Sequence, residues 1–260
     1  MYVEKNNQNQ NKNNININEN NKLNVYENIN KQKNQNEFNE NNFLNFYWIE
    51  FTEKDHPWMF SIVIYTGWCN LRCYDCHNRW LAGWDYDWQS NNIKKVDYAN
   101  IYDNLDKEEI KLAVQSGLVN MVVICWGEVC LNNTNTIIST VNKIKEWNSD
   151  LKVRLDTNWT FPEKVDELKD YVDWFAIDIK WPYWNENYHN DIKKILGVKN
   201  SYLFNRIIQS LKIAKDLPYT IYRTPKYPII DDENYFNEIK NYVKNELKNK
   251  PYYLNEFMQN

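Results

Sequence analysis

The 260-residue chain carries a formal charge of −4, with 43% hydrophobic and 25% charged residues. That length suffices for one domain with a sizeable core, and the charge offers no basic field for nucleic acid. No apolar run is long enough to span a bilayer and no membrane partner is expected; no apolar stretch of a secretion signal opens the chain; and five cysteines, three of them clustered, fit a reducing cytoplasm better than a disulfide framework. Lys, Asn, Ile and Tyr are abundant and Arg scarce, as in an AT-rich coding sequence.

Residues 1–42 hold 18 Asn among Gln, Lys and Glu, with few large apolar side chains to offset the entropy of ordering. They read as a disordered tail, leaving 43–260 as the folded domain. Phe43–Tyr47 reads as a lead-in strand, Asp55-His56-Pro57-Trp58 as a turn, and residues 60–66 as the first main strand. The polar and aromatic stretch 79–104 gives no clear assignment. Asp106 is placed to cap a helix from Lys107 to about Gln115, with Glu108 and Glu109 in its first turn. Strand and helix then alternate. Met121–Cys125, Leu151–Leu155, Trp174–Ile179, Tyr219–Arg223 and Tyr252–Leu254 read as strands. Residues 134–147, Pro162 to about Tyr171, 201–216 and 232–248 read as helices. Such alternation implies parallel strands joined by right-handed crossovers. About six βα units are too few for a closed eight-stranded barrel and suit a partial TIM-like α/β barrel, whose sites lie at the carboxyl ends of its strands.

After the first strand comes Thr66-Gly67-Trp68-Cys69-Asn70-Leu71-Arg72-Cys73-Tyr74-Asp75-Cys76-His77-Asn78. Thiolates at this C-x3-C-x2-C spacing can converge on one centre, either an iron–sulfur cluster or a zinc ion held by Cys69, Cys73, Cys76 and His77. A four-iron cluster normally takes four cysteines, so three leave one iron open for chemistry. The other strand ends are also polar: Cys125-Trp126-Gly127-Glu128-Val129, Asp156-Thr157-Asn158-Trp159, Asp178-Ile179-Lys180-Trp181-Pro182 and Arg223-Thr224-Pro225. A core needs none of these groups, so their placement favours function.

The three-cysteine motif followed by His-Asn resembles the signature of radical S-adenosylmethionine (SAM) enzymes, most of all the anaerobic ribonucleotide reductase activating proteins among the glycyl-radical enzyme activases. Trp126-Gly127-Glu128 stands where that family has Gly-Gly-Glu-Pro, departing at the first and last positions. Leu155–Trp159 resembles Leu-Asp-Thr-Asn-Gly, Ala176–Lys180 the Asp-x-Lys strand end, and Tyr222-Arg223-Thr224 a Phe-Arg-Thr stretch. The resemblance runs from about Asp55 to Leu254. It implies a partial (βα)6 barrel carrying a [4Fe–4S] cluster on Cys69, Cys73 and Cys76. It implies SAM bound near Asp75, His77, Trp126, Gly127, Glu128, Asp156, Asn158, Asp178, Lys180 and Arg223. It implies reductive cleavage of SAM to a 5′-deoxyadenosyl radical that abstracts hydrogen from a glycine of a partner, with anaerobic ribonucleotide reductase the first choice. An electron donor such as flavodoxin or ferredoxin is implied too. A small radical SAM enzyme of the 7-carboxy-7-deazaguanine synthase type and a non-catalytic zinc protein stay open as alternatives.

Blander readings stand beside these. Asp156 could cap the region that follows it, and Asp178 with Lys180 could form a surface pair of little energy. Cys125 and Cys130 read as buried small apolar residues, and His56 and His189 as turn residues. Tryptophan raises a separate question. At an average of about 7% the chain should hold about 18 Gly; it holds 5, with 12 Trp. Trp58, Trp68, Trp126, Trp159 and Trp181 fall where the resembling family has or accepts glycine, and Trp147 looks similar. Either the chain is a divergent, aromatic-rich homologue, or these are UGA codons meant as glycine and written as tryptophan; the second reading is preferred.

Overall fold

The computed structural model describes residues 43–44, 46–53, 59–74, 76, 78–87, 92–95, 108–226 and 233–255. The expected tail over 1–42, the Asp55–Trp58 turn with His56, the Asp106 cap, and the candidate residues Asp75 and His77 lie outside them. In chain order the strands are β1 (Trp48–Thr52), β2 (Ser61–Tyr65), β3 (Trp84–Asp87), β4 (Asn92–Lys95), β5 (Met121–Cys125), β6 (Lys152–Asp156), β7 (Trp174–Asp178), β8 (Ile221–Pro225) and β9 (Tyr252–Asn255). The helices are α1 (Glu108–Gln115), α2 (Thr134–Trp147), α3 (Pro162–Leu168), α4 (His189–Leu196), α5 (Tyr202–Ala214) and α6 (Glu233–Glu246).

Seven strands form one sheet in the order β1-β2-β5-β6-β7-β8-β9. Six of them run parallel, and β1 is antiparallel to β2 at the edge. The two faces separate by the period of two along each strand. Ile62, Ile64, Val122, Ile124, Val153, Leu155, Phe175, Ile177 and Tyr222 share one core with buried residues from all six helices. Val63, Met121, Val123, Cys125 and Trp174 form a smaller cluster of strand residues alone. Helices on one face and a strand-lined interior on the other make this a partial TIM-like barrel, not a doubly wound sheet. The inner positions change character toward the strand ends: Asp156, Asp178 and Arg223 follow, by twos, from Arg154, Ala176 and Ile221.

Several boundaries differ from those expected. The first strand begins at Trp48 rather than Phe43, because Leu44 and Phe46 are buried in the core and the Leu44 amide donates to Thr140 Oγ1 at 2.9 Å, not to a strand. The third helix ends at Leu168, and Asp173 turns back to accept from the Val153 amide at 2.9 Å. Two elements were not foreseen. The β3–β4 pair occupies part of the unassigned stretch, and α4 follows the strand end at Lys180. His189, expected in a turn, starts α4 and packs edge-on against Phe204.

Candidate functional site

The cysteine loop is held from three sides. Behind it, the Arg72 amide donates to Leu196 O at 3.1 Å and the Tyr74 amide to Ile195 O at 2.7 Å, so the last turn of α4 clamps the middle of the motif. Gly197 ends α4 in the left-handed conformation, φ 62°, and a Cβ there would lie 2.3 Å from Arg72 O. Both the turn and the close approach require glycine. On a second side, the Trp68 and Cys69 amides donate to Leu81 O and Ala82 O. On the third, the loop meets the ends of β5 and β6.

Glu128 organises that third side. Its carboxylate has no exposed surface and accepts from Cys130 N (2.8 Å), Thr157 Oγ1 (2.6 Å) and Asn158 N (2.5 Å), while its own amide donates to Trp68 O. Burial drives its carboxyl group above the ordinary value, although the bonds from Thr157 and Asn158 pull the other way. The side chain and the amide of this one residue thus tie together three strand-end loops. Gly127, φ 60°, lies so close to the cysteine loop that a Cβ would sit 2.6 Å from Gly67 C and Trp68 O. Asn158 carries the connection to sulfur: its Nδ2 lies 3.5 Å from Cys69 Sγ and 2.6 Å from Asn70 Oδ1.

A chain of alternating charge crosses the inner face. Arg154, almost completely buried, pairs with Asp156 through Nε (2.8 Å) and Nη2 (3.1 Å). Arg223 bridges Asp156 (3.2 Å) and Asp178 (2.8 Å). Burial raises Asp178, but the Arg223 and Lys180 charges outweigh it and hold the carboxyl group below its usual range. Lys180 also bears on Cys76, and its carbonyl accepts from Tyr235 Oη at 2.7 Å.

The strand ends therefore gather Cys69, Gly127, Glu128, Asp156, Asn158, Asp178, Lys180 and Arg223 around one face of the barrel, with Trp126 stacked on Tyr65 beside them. Asp156 does not cap α3, whose N-cap is Phe161 with no side-chain bond; its oxygens are taken by the two guanidinium groups. Asp178 is paired to Arg223, and the charge of Lys180 acts on it as well. Cys125 and Cys130 are buried, as expected of apolar residues. Arg154, Asn70 and Thr157 were not singled out as site residues. Arg154 had a legible signal, a cation at an alternate position of a strand flanked by parallel neighbours.

The donor set suits an iron–sulfur cluster. Three thiols stand on one loop, and Cys69 Sγ already accepts from the Leu71 amide (3.4 Å) and the Asn158 side chain. Burial pushes Cys69 and Cys76 up, and the charge of Cys73 adds to both. Among the described residues no three His, Cys, Asp or Glu side chains meet as a ready-formed metal site.

The chain is similar to several known proteins. A protein of Methanocaldococcus jannaschii, provisionally named glycyl-radical enzyme activating enzyme MJ1227, is 24% identical over 199 residues, 75% of this chain and 73% of that one. Among solved structures, QueE from Escherichia coli superposes with a TM-score of 0.46 at 12% identity over 82% of this chain and 84% of its own. Archaeal TYW1 does so at 0.40 and 12%, over 71% and 61%. The sequence profile of the radical SAM superfamily matches residues 63–243, from β2 into α6. Three cysteines after the first parallel strand, polar residues at the following strand ends and a matching profile over most of the folded chain give one conclusion: the protein belongs to the radical SAM superfamily, enzymes that carry a [4Fe–4S] cluster and SAM.

Proposed function

We propose that the protein is an activase that installs a glycyl radical on a partner enzyme, with anaerobic ribonucleotide reductase the first partner to try. The observation that carries this reading is the similarity to the M. jannaschii protein named as a glycyl-radical enzyme activating enzyme, which extends over about three quarters of both chains. The His77-Asn78 step after Cys76 points the same way. In this reading Cys69, Cys73 and Cys76 hold the cluster, which with SAM supplies a hydrogen-abstracting radical when both are bound. Asp156, Asn158, Asp178 and Lys180 border the SAM site, with the backbone of residues 126–127 beside them. Asp75 and His77 belong to the same loop and to the same proposal. Glu128 and Arg223, whose polar atoms are engaged by neighbouring loops and carboxylates, act as positioning residues.

Among the described residues no helix is long and apolar enough to cross a membrane, and the proposed setting is a reducing cytoplasm with a flavodoxin or ferredoxin as electron donor. The zinc-protein alternative falls with membership of the superfamily. The test is anaerobic: reconstituted protein, a chemical reductant, SAM and a purified anaerobic reductase are mixed and frozen for electron paramagnetic resonance. A glycyl-radical doublet on the reductase is expected. SAM cleavage with no radical on any candidate partner would transfer the reading to a small-molecule substrate.

A further inference from the structure

Three tryptophans at the strand ends lie on left-handed backbone: Trp68 at φ 65°, Trp126 at φ 60° and Trp159 at φ 68°. Positive φ crowds a Cβ against the neighbouring carbonyl, and a bulky residue there is an outlier. Glycine adopts it without that crowding. The other described non-glycine residues of this kind are Lys248 and Asn249, in the turn after α6.

The three backbones are bent by their partners and not by their rings. The Trp68 amide donates to Leu81 O and its carbonyl accepts from the Glu128 amide. Trp126 O accepts from Thr66 Oγ1, and Trp159 O accepts from Ser210 Oγ at 2.8 Å. These bonds fasten the cysteine loop to the end of β5 and the loop after β6 to α5, so the torsions belong to the fold. The indole of Trp159 packs edge-on against Phe175, with centroids 5.2 Å apart. Trp159 is 1% exposed and its Nε1 finds no hydrogen-bond acceptor among the described residues, which holds equally for Trp181, so the torsion and not the indole sets it apart. Trp68 lies over Gly83, and Trp126 lies against Tyr65 beside the site.

Other tryptophans lack this requirement. Trp147 ends a helix, Trp174 lies in β7, and Trp181 packs on Tyr188 and Tyr235 with no left-handed torsion. The backbone makes no demand for glycine at Trp147 and Trp181, and Trp58 lies outside the described residues. From the torsions, together with 5 Gly against 12 Trp in the whole chain, we infer that positions 68, 126 and 159 are glycine in the native polypeptide, encoded by UGA that the source organism reads as glycine. Two indoles then leave the strand ends and one leaves the core, and the peptide groups beside Cys69 and Gly127 become bare enough for a ligand to approach. The inference rests on torsions and composition and holds whether or not the partner is a glycyl-radical enzyme.

Two measurements decide it. The coding DNA is read at codons 68, 126 and 159, and peptides spanning them, from protein isolated from its own source, are weighed by mass spectrometry. UGA at all three with glycine masses is expected; a UGG codon or a tryptophan mass at any of them overturns it. Separately, the chain as written and its Trp68→Gly/Trp126→Gly/Trp159→Gly variant are reconstituted anaerobically and compared for SAM binding by equilibrium dialysis. The variant is expected to bind about ten-fold more tightly or better, the gain of one good contact; equal or weaker binding by a folded variant counts against the inference. A missing glycyl radical on the reductase would sink the activase reading and leave both results standing.

Discussion

Glu128 carries more of the site than any other side chain. Its two oxygens satisfy Cys130 N, Thr157 Oγ1 and Asn158 N in a place without water. Each buried donor left unpaired costs about 1–3 kcal/mol, so Glu128→Ala is expected to lose about 3 kcal/mol or more, read from urea denaturation. Glu128→Gln should lose less, because its amide oxygen still serves Thr157 and Cys130 while its NH2 faces the Asn158 amide. The carboxyl groups of Glu128 and Asp178 pull stability in opposite directions with pH. Asp178, held below its usual range by Arg223 and Lys180, contributes stability that is complete above the unfolded carboxylate value of about 3.9 and fades as pH falls through the depressed one. Glu128, raised by burial, contributes most at low pH and loses it as pH climbs through its raised value. Asp178→Asn should therefore weaken the loss of stability as pH falls below about 4, measured as denaturation midpoints; an unchanged acid limb would contradict the pairing.

Among the elements, α4 decides whether the cysteine loop keeps its shape. Its carbonyls at Ile195 and Leu196 receive the Tyr74 and Arg72 amides, and Gly197 lets the chain pass against Arg72. Gly197→Ala places a Cβ against backbone and on left-handed torsions; the two effects together are expected to cost about 2–4 kcal/mol. Iron retained after anaerobic reconstitution should drop with it, whereas Gly117→Ala, whose Cβ would meet nothing within 4 Å, tests the torsional cost alone. The charged chain across β6, β7 and β8 is the second element-scale device. Asp156→Ala strips both guanidinium groups of the carboxylate they share, and a loss of about 3–5 kcal/mol is expected for breaking a buried pair. Asp156→Asn, keeping one acceptor, should fall between; a loss below that of an exposed pair would show that the chain is not structurally important.

For the whole molecule, the proposal divides residues that hold the cluster from residues that hold SAM, and one experiment separates them. Alanine at Cys69, Cys73 or Cys76 should abolish the iron-dependent absorption near 400 nm of the reconstituted protein. Asp178→Ala and Lys180→Ala should leave iron content intact while weakening SAM binding by about 10–100-fold, the worth of a hydrogen bond to a charged group. Unchanged SAM binding in both would remove them from the site.

Much of this molecule was legible in its residues. Met121–Cys125 and residues 134–147 are elements with the bounds their patterns indicated, because a short buried β-branched run and a long 3.6-residue period are unambiguous signals. The cysteine spacing marked the loop, and the order of polar strand ends marked the face on which the site lies. What the residues did not disclose depends on contacts far apart in the chain. The role of α4 as a clamp needs Leu196 beside Arg72, the triple acceptance by Glu128 needs residues about 30 positions away, and the pairing of Asp156 with Arg223 spans 67. Composition and motif register raised the question of the tryptophans, but a side-chain alphabet carries no torsion. Only the folded backbone, bent by hydrogen bonds among the strand-end loops and from α5, separated Trp68, Trp126 and Trp159, where φ is positive, from Trp147 and Trp181, where it is not.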